Sequence, residues 1–299
     1  MMASKKQQPL RGEMRFNEPM SKHTTWRVGG VADKFYLPES IDDLAEMLAG
    51  LDITEDVFWL GLGSNLLVRD AGIRGTVIAL KGGLSEIELL DDNRVLAGAG
   101  ASCAKLARFC SKNNLIDAAF LAGIPGLLGG ALAMNAGAFG SETWQYVESV
   151  TTMDRQGRVH HHKASDYVAS YRRVTGPENE WFVAAVLCFE RGDGEKAATN
   201  IRQLLDKRAQ SQPIGLPSCG SVFRNPENDF AARLIEASGL KGYRIGGAVV
   251  SEKHANFIIN IGNASAKDIE DLIRHVQQQV KDKQGVSLQT EVKIVGEAG

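Results

Sequence analysis

The sequence predicts an α+β fold in three successive units, and three observations carry that prediction. Strand and helix patterns alternate up to about residue 80, the pattern turns to β-hairpins from residue 84, and a Pro/Gly/Ser stretch, "SQPIGLPSCG", sets both apart from a last mixed region. In the first unit, 14–80, "DKFYLPES" closes a strand and "SIDDLAEMLAG" opens a helix, with Ser40 and Asp43 at capping-box spacing and Gly50 at its end. "DVFWLGLGSNLLV" and "GTVIALKG" then read as strands around a glycine-bearing turn.

In the second unit, 81–208, "IELLDDNRVLAGAG" and "VESVTTMDRQGRVHHH" place turn residues between alternating strands, and "WFVAAVLCFE" adds another strand. Between them "SCAKLARFCSKNN" is helical, with Cys103 and Cys110 on one face as small core residues. The charged helix "GEKAATNIRQLLDKRAQ" leads to the boundary stretch. The third unit, 209–285, holds a helix over 229–238, strands near "AVV" and "NFIINIG", and a helix capped by Ser265 and Asp268. A closing strand in "SLQTEVKIVG", within 286–296, is a candidate to return to the first unit. No fixed-period repeat runs through the chain.

Composition excludes several classes of function. With 299 residues, 43% hydrophobic and 23% charged, the chain has ordinary globular usage and enough length for a sizeable core. A formal charge of −2 and no dense basic patch give nothing to hold a nucleic acid. The opening "MMASKKQQPLRGEM" lacks an apolar leader core, and no uncharged apolar run reaches the length of a membrane span, so a cytoplasmic protein without membrane insertion is expected. Cys103, Cys110, Cys188 and Cys219 form no CxxC pair and read as reduced thiols. The run His160-His161-His162 alternates across a strand with no accompanying ligand pattern, and no metal is expected.

Two stretches stand out for their glycines. "GIPGLLGGALAMNAGAFG" (123–140) has no charge, too little polarity for a linker and too much glycine for an ordinary helix, and "GLGSNLLVRD" (61–70) shares its character. Small residues let backbone N–H groups converge on an anion, while apolar neighbours make a flat, dry wall. Phosphates joined to a planar ring suit such a lining; tight packing of glycine loops inside a core is the alternative. A Walker A motif is absent, and "GDGEKA" (192–197) puts Asp193 and Glu195 where a pyrophosphate needs donors.

"HTTWRVGG", "GLGSNLLV", "GIPGLLGGALAMNAGAFG", "SYRR", "PSCGSVFRNP", "LIEASGLKGYRIGGAVVSEKHANFIIN" and "TEVKIVG" follow one another in the order of the UDP-N-acetylenolpyruvoylglucosamine reductase family, which the chain resembles from about residue 14 to 296. The resemblance implies a two-part FAD-binding region of the vanillyl-alcohol-oxidase type, followed by an α/β domain for a UDP-sugar. It implies NADPH-dependent reduction of the enolpyruvyl ether to the lactyl ether of UDP-N-acetylmuramate, in peptidoglycan synthesis, by a monomer. FAD contacts are implied at Arg27, at Gly61, Gly63, Ser64, Asn65 and Leu66, and at Gly123, Ile124, Pro125, Gly126, Gly129, Gly130, Asn135, Gly137 and Ala138. Neither glycine stretch has a His, Tyr or Cys, so the flavin is expected to be held without a covalent bond. UDP-sugar contacts are implied at Arg224, Asn225, Tyr243, Arg244, Lys253, His254 and Asn256. His23, Cys219 and Arg224 stand where Asn, Ala and Lys are usual, and the short separation of Arg172 from Ser221 suits the version of the family without an extra Tyr-bearing loop.

The chemistry asks for particular residue types. Hydride addition to an enolpyruvyl double bond puts negative charge beside a carboxylate, which needs a cation, and the resemblance assigns this to Arg172. The carbanion must then take a proton, assigned to Ser221, with Glu291 orienting the substrate or the enol. Taken singly, these three would pass for a solvated cation beside Arg173, a turn serine and an exposed strand carboxylate. An oxidase of the same fold and a flavin-binding module without catalysis are the competing functions.

Overall fold

The computed structural model describes residues 10–91 and 93–298. The chain begins with β1 (Glu13–Pro19), β2 (Val31–Leu37), α1 (Ile41–Gly50), β3 (Val57–Leu60), β4 (Leu66–Val68) and β5 (Ile73–Ala79). Four of these strands form a sheet in the order β1-β2-β5-β3, parallel except for β1. Helix α1 carries the chain across it from β2 to β3. Ser40 starts that helix by accepting the Asp43 N–H at 3.1 Å, and Leu44, Met47 and Leu48 bury its inner face.

Next come β6 (Ile87–Leu89), β7 (Arg94–Gly98), α2 (Cys103–Lys112), α3 (Leu128–Met134), β8 (Gly137–Ala138), β9 (Ser141–Glu142), β10 (Val147–Asp154), β11 (Val159–Lys163), β12 (Val168–Ser170), β13 (Arg173–Thr175), β14 (Glu180–Cys188) and α4 (Gly194–Ser211). A second sheet, β11-β10-β14-β7-β6, is antiparallel throughout. Helices α2, α3 and α4 close its apolar face in one core, with Cys103 and Cys110 both buried on α2 as their spacing predicts. Asp193 caps α4, accepting the N–H groups of Glu195 and Lys196 at 3.0 Å each, so "GDGEKA" is a helix start. Strands β12 and β13 stand apart as a two-stranded ribbon with mostly exposed residues.

Helix α3 departs from expectation, since the stretch around it reads as too glycine-rich for a helix. Its first turn is held from outside: the N–H groups of Leu128 and Gly129 donate to the carbonyls of Ala101 and Ala99 at 2.9 and 2.8 Å. Leu128, Ala131 and Leu132 bury its inner face. Tertiary packing overrides glycine's poor propensity here.

The last region contains α5 (Ala231–Ala237), β15 (Arg244–Ile245), β16 (Ala248–Val250), β17 (Ile258–Asn260), α6 (Ala266–Gln284) and β18 (Lys293–Val295). Strands β15, β16 and β17 form a small antiparallel sheet under α5 and α6. Helix α5 starts later than the 229–238 expectation because Asn225 Oδ1 accepts the Ala231 N–H at 3.1 Å and fixes its first turn there. The closing strand is also shorter: the N–H groups of Glu291 and Val292 both turn to the Val222 carbonyl, at 2.8 and 3.3 Å, before regular pairing begins.

Strand β18 then crosses back to pair in parallel with β4, Lys293 opposite Leu66 and Val295 opposite Val68. Trp26, fully buried, donates its indole N–H to the Ile258 carbonyl at 2.7 Å, while Asn260 Nδ2 donates to the Trp26 carbonyl at 2.9 Å. Arg69 grips Glu270 with two N–H groups at 3.0 Å each. Asp70 accepts the N–H groups of Ala266 and Lys267 at 2.9 and 3.0 Å, a carboxylate at the positive end of α6.

Candidate active site

A cavity of about 500 Å3 is lined by the turn after β3, residues from 123 to 139, the end of α4, the loop ahead of Ser221 and the approach to β18. That size suits a small-molecule site. Residues 61–65 form the turn after β3, and Gly63, at φ +61°, is required there because a Cβ would sit 2.0 Å from the His23 carbonyl oxygen. Among the described residues, the N–H groups of Gly61, Leu62, Gly63, Ser64 and Asn65 meet no protein acceptor. A run of unpaired donors on a glycine turn is a nest for an anion.

The glycines of 123–137 fall into two kinds. At Gly123 a Cβ would meet the Phe139 ring at 2.4 Å, at Gly129 the Ala99 Cβ at 3.0 Å, and at Gly137 the Ser141 carbonyl oxygen at 2.4 Å, so close packing requires them. Gly126 and Gly130 line the cavity with no left-handed φ, and a Cβ would meet nothing closer than 3.7 Å at the first and nothing within 4 Å at the second. Gly130 lies inside α3, where glycine costs about 1 kcal/mol relative to alanine. Neither backbone nor packing calls for glycine at these two positions. What they keep is a flat face on the cavity, which together with the nest fits the pyrophosphate and planar ring of FAD. The packing and ligand alternatives are both realised, at different glycines.

Arg172, Ser221 and Glu291 converge on this cavity. Arg172 sits at the tip of the β12–β13 hairpin with φ +55°, a conformation uncommon for a side chain of its size. Its Nε donates to Glu291 Oε1 at 2.8 Å and an Nη2 hydrogen points to the Gly137 carbonyl at 3.4 Å, with both charged groups half-buried. Glu291 lies just before β18, its backbone fixed by its N–H to Val222 and by Asn65 Nδ2, which donates to its carbonyl at 3.1 Å. Ser221 follows Gly220, whose φ of +72° turns the chain toward the cavity. Its hydroxyl has no hydrogen-bond partner among the described residues. Cys219 seats that loop against the nest, its thiol donating to the Leu66 carbonyl at 3.3 Å, and burial pushes its pKa up to about 11.

Most of the FAD positions expected from sequence line the cavity: Gly61, Gly63, Ser64, Asn65, Leu66, Gly123, Ile124, Pro125, Gly126, Gly130, Gly137 and Ala138. Arg27, Gly129 and Asn135 lie outside that lining. Arg27 is exposed at φ +59°, Gly129 packs on Ala99, and Asn135 is buried with its amide bonded within the protein.

None of the expected UDP-sugar positions is among the residues lining the cavity. Asn256 accepts the Phe223 N–H at 2.9 Å and donates to its carbonyl at 2.8 Å, and Asn225 caps α5. Lys253 Nζ donates to the Ala209 carbonyl at 2.6 Å, Tyr243 stacks on His275 at 4.2 Å, and Arg244 is exposed on β15. The Arg224 Nε and His254 Nδ1 atoms are buried without partners, and burial lowers the His254 pKa.

Sequence reasoning missed Lys207, Arg208, Ser211 and Gln212 in the last turn of α4, all of which line the cavity. The signal was present: that helix runs directly into the loop carrying Ser221, so its last turn must lie nearby. Arg208 Nε donates to Gln212 Oε1 at 2.8 Å, and burial pulls its pKa down. With Lys293 these cations surround a cavity whose only acidic lining residue, among those described, is Glu291. The histidine run is engaged elsewhere: His160 and His162 pair with Asp154 and Glu180 at 3.0 and 2.7 Å.

Residues 212–295 match the family model described as "UDP-N-acetylenolpyruvoylglucosamine reductase, C-terminal domain", and residues 32–163 match one described as "FAD binding domain". The chain is 56% identical over 290 residues to the UDP-N-acetylenolpyruvoylglucosamine reductase of Methylococcus capsulatus, covering 97% of this chain and 95% of that one. It is 53% identical over 298 residues to the Alkalilimnicola ehrlichii protein of the same name, covering 100% and 99%. The crystal structure of the Thermus caldophilus reductase superposes with a TM-score of 0.81 at 30% identity, covering 95% of this chain and 98% of that one.

Proposed function

The chain belongs to the UDP-N-acetylenolpyruvoylglucosamine reductase family, FAD-dependent oxidoreductases of peptidoglycan synthesis, and from that premise we propose how its own residues reduce the enolpyruvyl ether of the UDP-sugar to the lactyl ether of UDP-N-acetylmuramate. The N–H groups of residues 61–65 hold the FAD pyrophosphate, and the flat face at Gly126 and Gly130 lies against its ring. Bound FAD would supply a carrier for the two electrons that pass from NADPH to the double bond of the substrate.

Arg172 receives the substrate carboxylate. Its Nε is committed to Glu291, which fixes the guanidinium plane and leaves the outer N–H groups for the ligand. As negative charge builds at the carbon next to that carboxylate, a half-buried cation already in place stabilises it without reorganising. Ser221 gives the proton, its hydroxyl being unengaged within the protein. The balance closes: hydride and proton form two new C–H bonds as the C=C π bond is lost, NADPH leaves oxidised, and solvent reprotonates the serine. Lys207, Arg208 and Lys293 favour the diphosphate of the substrate over neutral competitors.

The observation that carries this reading is the convergence of Arg172, Ser221 and Glu291 on a cavity that also holds the nest and the flat glycine face. The test is product analysis. Incubation with NADPH and the enolpyruvyl UDP-sugar without oxygen should yield the lactyl ether with one NADPH consumed per product. NADPH oxidation that requires oxygen and yields no lactyl ether would indicate an oxidase; flavin uptake without turnover would indicate a binding module.

A further inference from the structure

We propose that Asn135 is a positioning residue for Arg172, acting through the backbone of the hairpin that carries it. Asn135 is 2% exposed and ends α3 in the left-handed conformation, φ 45° and ψ 51°. Its neighbours Met134 and Ala136 line the cavity and it does not. Its amide is fully committed on the other side. Nδ2 donates to Glu142 Oε2 at 2.7 Å and to the Ser170 carbonyl at 3.2 Å, and Oδ1 accepts the Trp144 N–H at 3.1 Å. A carboxylate and a carbonyl can only accept and an N–H can only donate, so the amide has a single orientation that satisfies all three.

Ser170 is the last residue of β12, directly before the turn Tyr171-Arg172. Among the described residues, hydrogen bonds join the segment 168–175 to the rest of the molecule at three places only. Two are made by the Arg172 side chain itself, to Glu291 and Gly137, and the third is Asn135 on the Ser170 carbonyl. Two-stranded ribbons are marginal by themselves, and Arg172 sits at this tip in a strained conformation. Without Asn135 the hydrogen bonds that tie this hairpin to the rest of the molecule would be those of the Arg172 side chain alone. Asn135 therefore sets the backbone from which Arg172 reaches Glu291, and it does so from the end of the helix whose Gly130 faces the cavity.

The inference rests on the role of Arg172 proposed above, and its test separates the two. Asn135→Gly keeps the left-handed helix end and removes only the amide; Asn135→Asp keeps the acceptor for Trp144 and removes the donor to Ser170. In both holoenzymes, amide hydrogen exchange of residues 168–175 should quicken, joined in Asn135→Gly by that of Trp144, whose N–H loses its acceptor, while the rest of the chain stays as in the wild type. Flavin content and flavin reduction by NADPH should be unchanged. Flavin reoxidation by the enolpyruvyl substrate should slow by about a hundredfold, the cost of a group displaced by roughly 1 Å. In an Arg172→Ala background, Asn135→Gly should cost nothing more. Unchanged hairpin exchange, a further loss in the Arg172→Ala background, or lost flavin with normal reoxidation would each overturn the proposal. An Arg172→Ala enzyme that reoxidises normally would overturn the reading of Arg172, leaving the exchange measurement to judge the tie from Asn135 to the hairpin.

Discussion

One side of the cavity is made of two nearly continuous stretches, residues 61–65 and 123–130, that grow directly out of sheet and helix. The other brings Arg172, Ser221 and Glu291 from a hairpin tip, a loop and a strand approach, joined by single hydrogen bonds. The first has to present a surface, so small residues and free backbone donors suffice and side-chain chemistry matters little. The second has to place three functional groups against one reacting centre. No single element can supply them, and one of those that do, the hairpin of Arg172, is mostly exposed. The contrast predicts that damage to the first side removes cofactor, whereas damage to the second spares cofactor and removes one half of the reaction.

The largest effect should come at Ser221. Ser221→Ala should leave NADPH bleaching the flavin at nearly the wild-type rate in anaerobic stopped flow, while reoxidation by the enolpyruvyl substrate slows by about a hundred- to ten-thousand-fold. Cysteine at that position should recover part of the loss, a thiol being the stronger acid. Normal reoxidation in the alanine variant would take Ser221 off the list of catalytic residues. Arg172→Ala should follow, with turnover reduced by about two to three orders of magnitude and poor rescue by lysine. Glu291→Gln, nearly the same shape, tells an ionic role from a geometric one: if it matches the wild type, the 2.8 Å contact with Arg172 Nε needs only an acceptor.

On the glycine side, the wild-type protein should purify yellow and lose its colour on denaturation and filtration. Gly130→Val, which puts a branched side chain into the open face, should give colourless protein. Gly130→Ala should unfold at higher denaturant, by about 1 kcal/mol from helix propensity, while retaining flavin less well. If Gly130→Val stays yellow with full activity, the flat face has no ligand to serve.

The smallest effect concerns a tie beneath the nest. Pairing with Arg69, which follows β4, holds the Glu270 carboxyl below its ordinary value of 4.5 despite burial. A depressed folded pKa gives stability that is complete above the unfolded value and lost as pH falls through the folded one. Urea midpoints should therefore be flat well above pH 4.5 and decline below it, and Glu270→Gln should flatten that decline while lowering the neutral midpoint. An unaltered acid slope would show that other carboxylates govern it.

How much of this was legible in the sequence follows the same division. The nest and the wall were visible as composition, because the residues that build them are neighbours in the chain. The capping residues Ser40 and Ser265 and the cysteine face of α2 were visible for the same local reason. Arg172, Ser221 and Glu291 were not legible from residue type, since an arginine at a hairpin tip and a serine after a glycine are common anywhere; a pattern of ordered motifs singled them out. Helix α3 was missed because its first turn is held by Ala99 and Ala101, well upstream. Lys207 and Arg208 looked like any charged helix end until the chain direction after α4 brought them to the cavity. Asn256 and Asn135 were read as ligand contacts from the motifs they sit on, whereas the hydrogen bonds of their amides go to the protein's own groups.

The pairing of β18 with β4 has a consequence for the order in which the molecule is made. The nest leaves the ribosome long before the strand that flanks it and the Lys293 N–H that donates to the Asn65 carbonyl at 3.1 Å. Contacts between such distant parts of a chain form late. The pyrophosphate loop therefore stays half-built until residues 293–295 have been made, so that flavin uptake waits on the more than two hundred residues between them. A nascent chain stalled just short of residue 290 would hold every glycine of the site and still lack the strand that sets them.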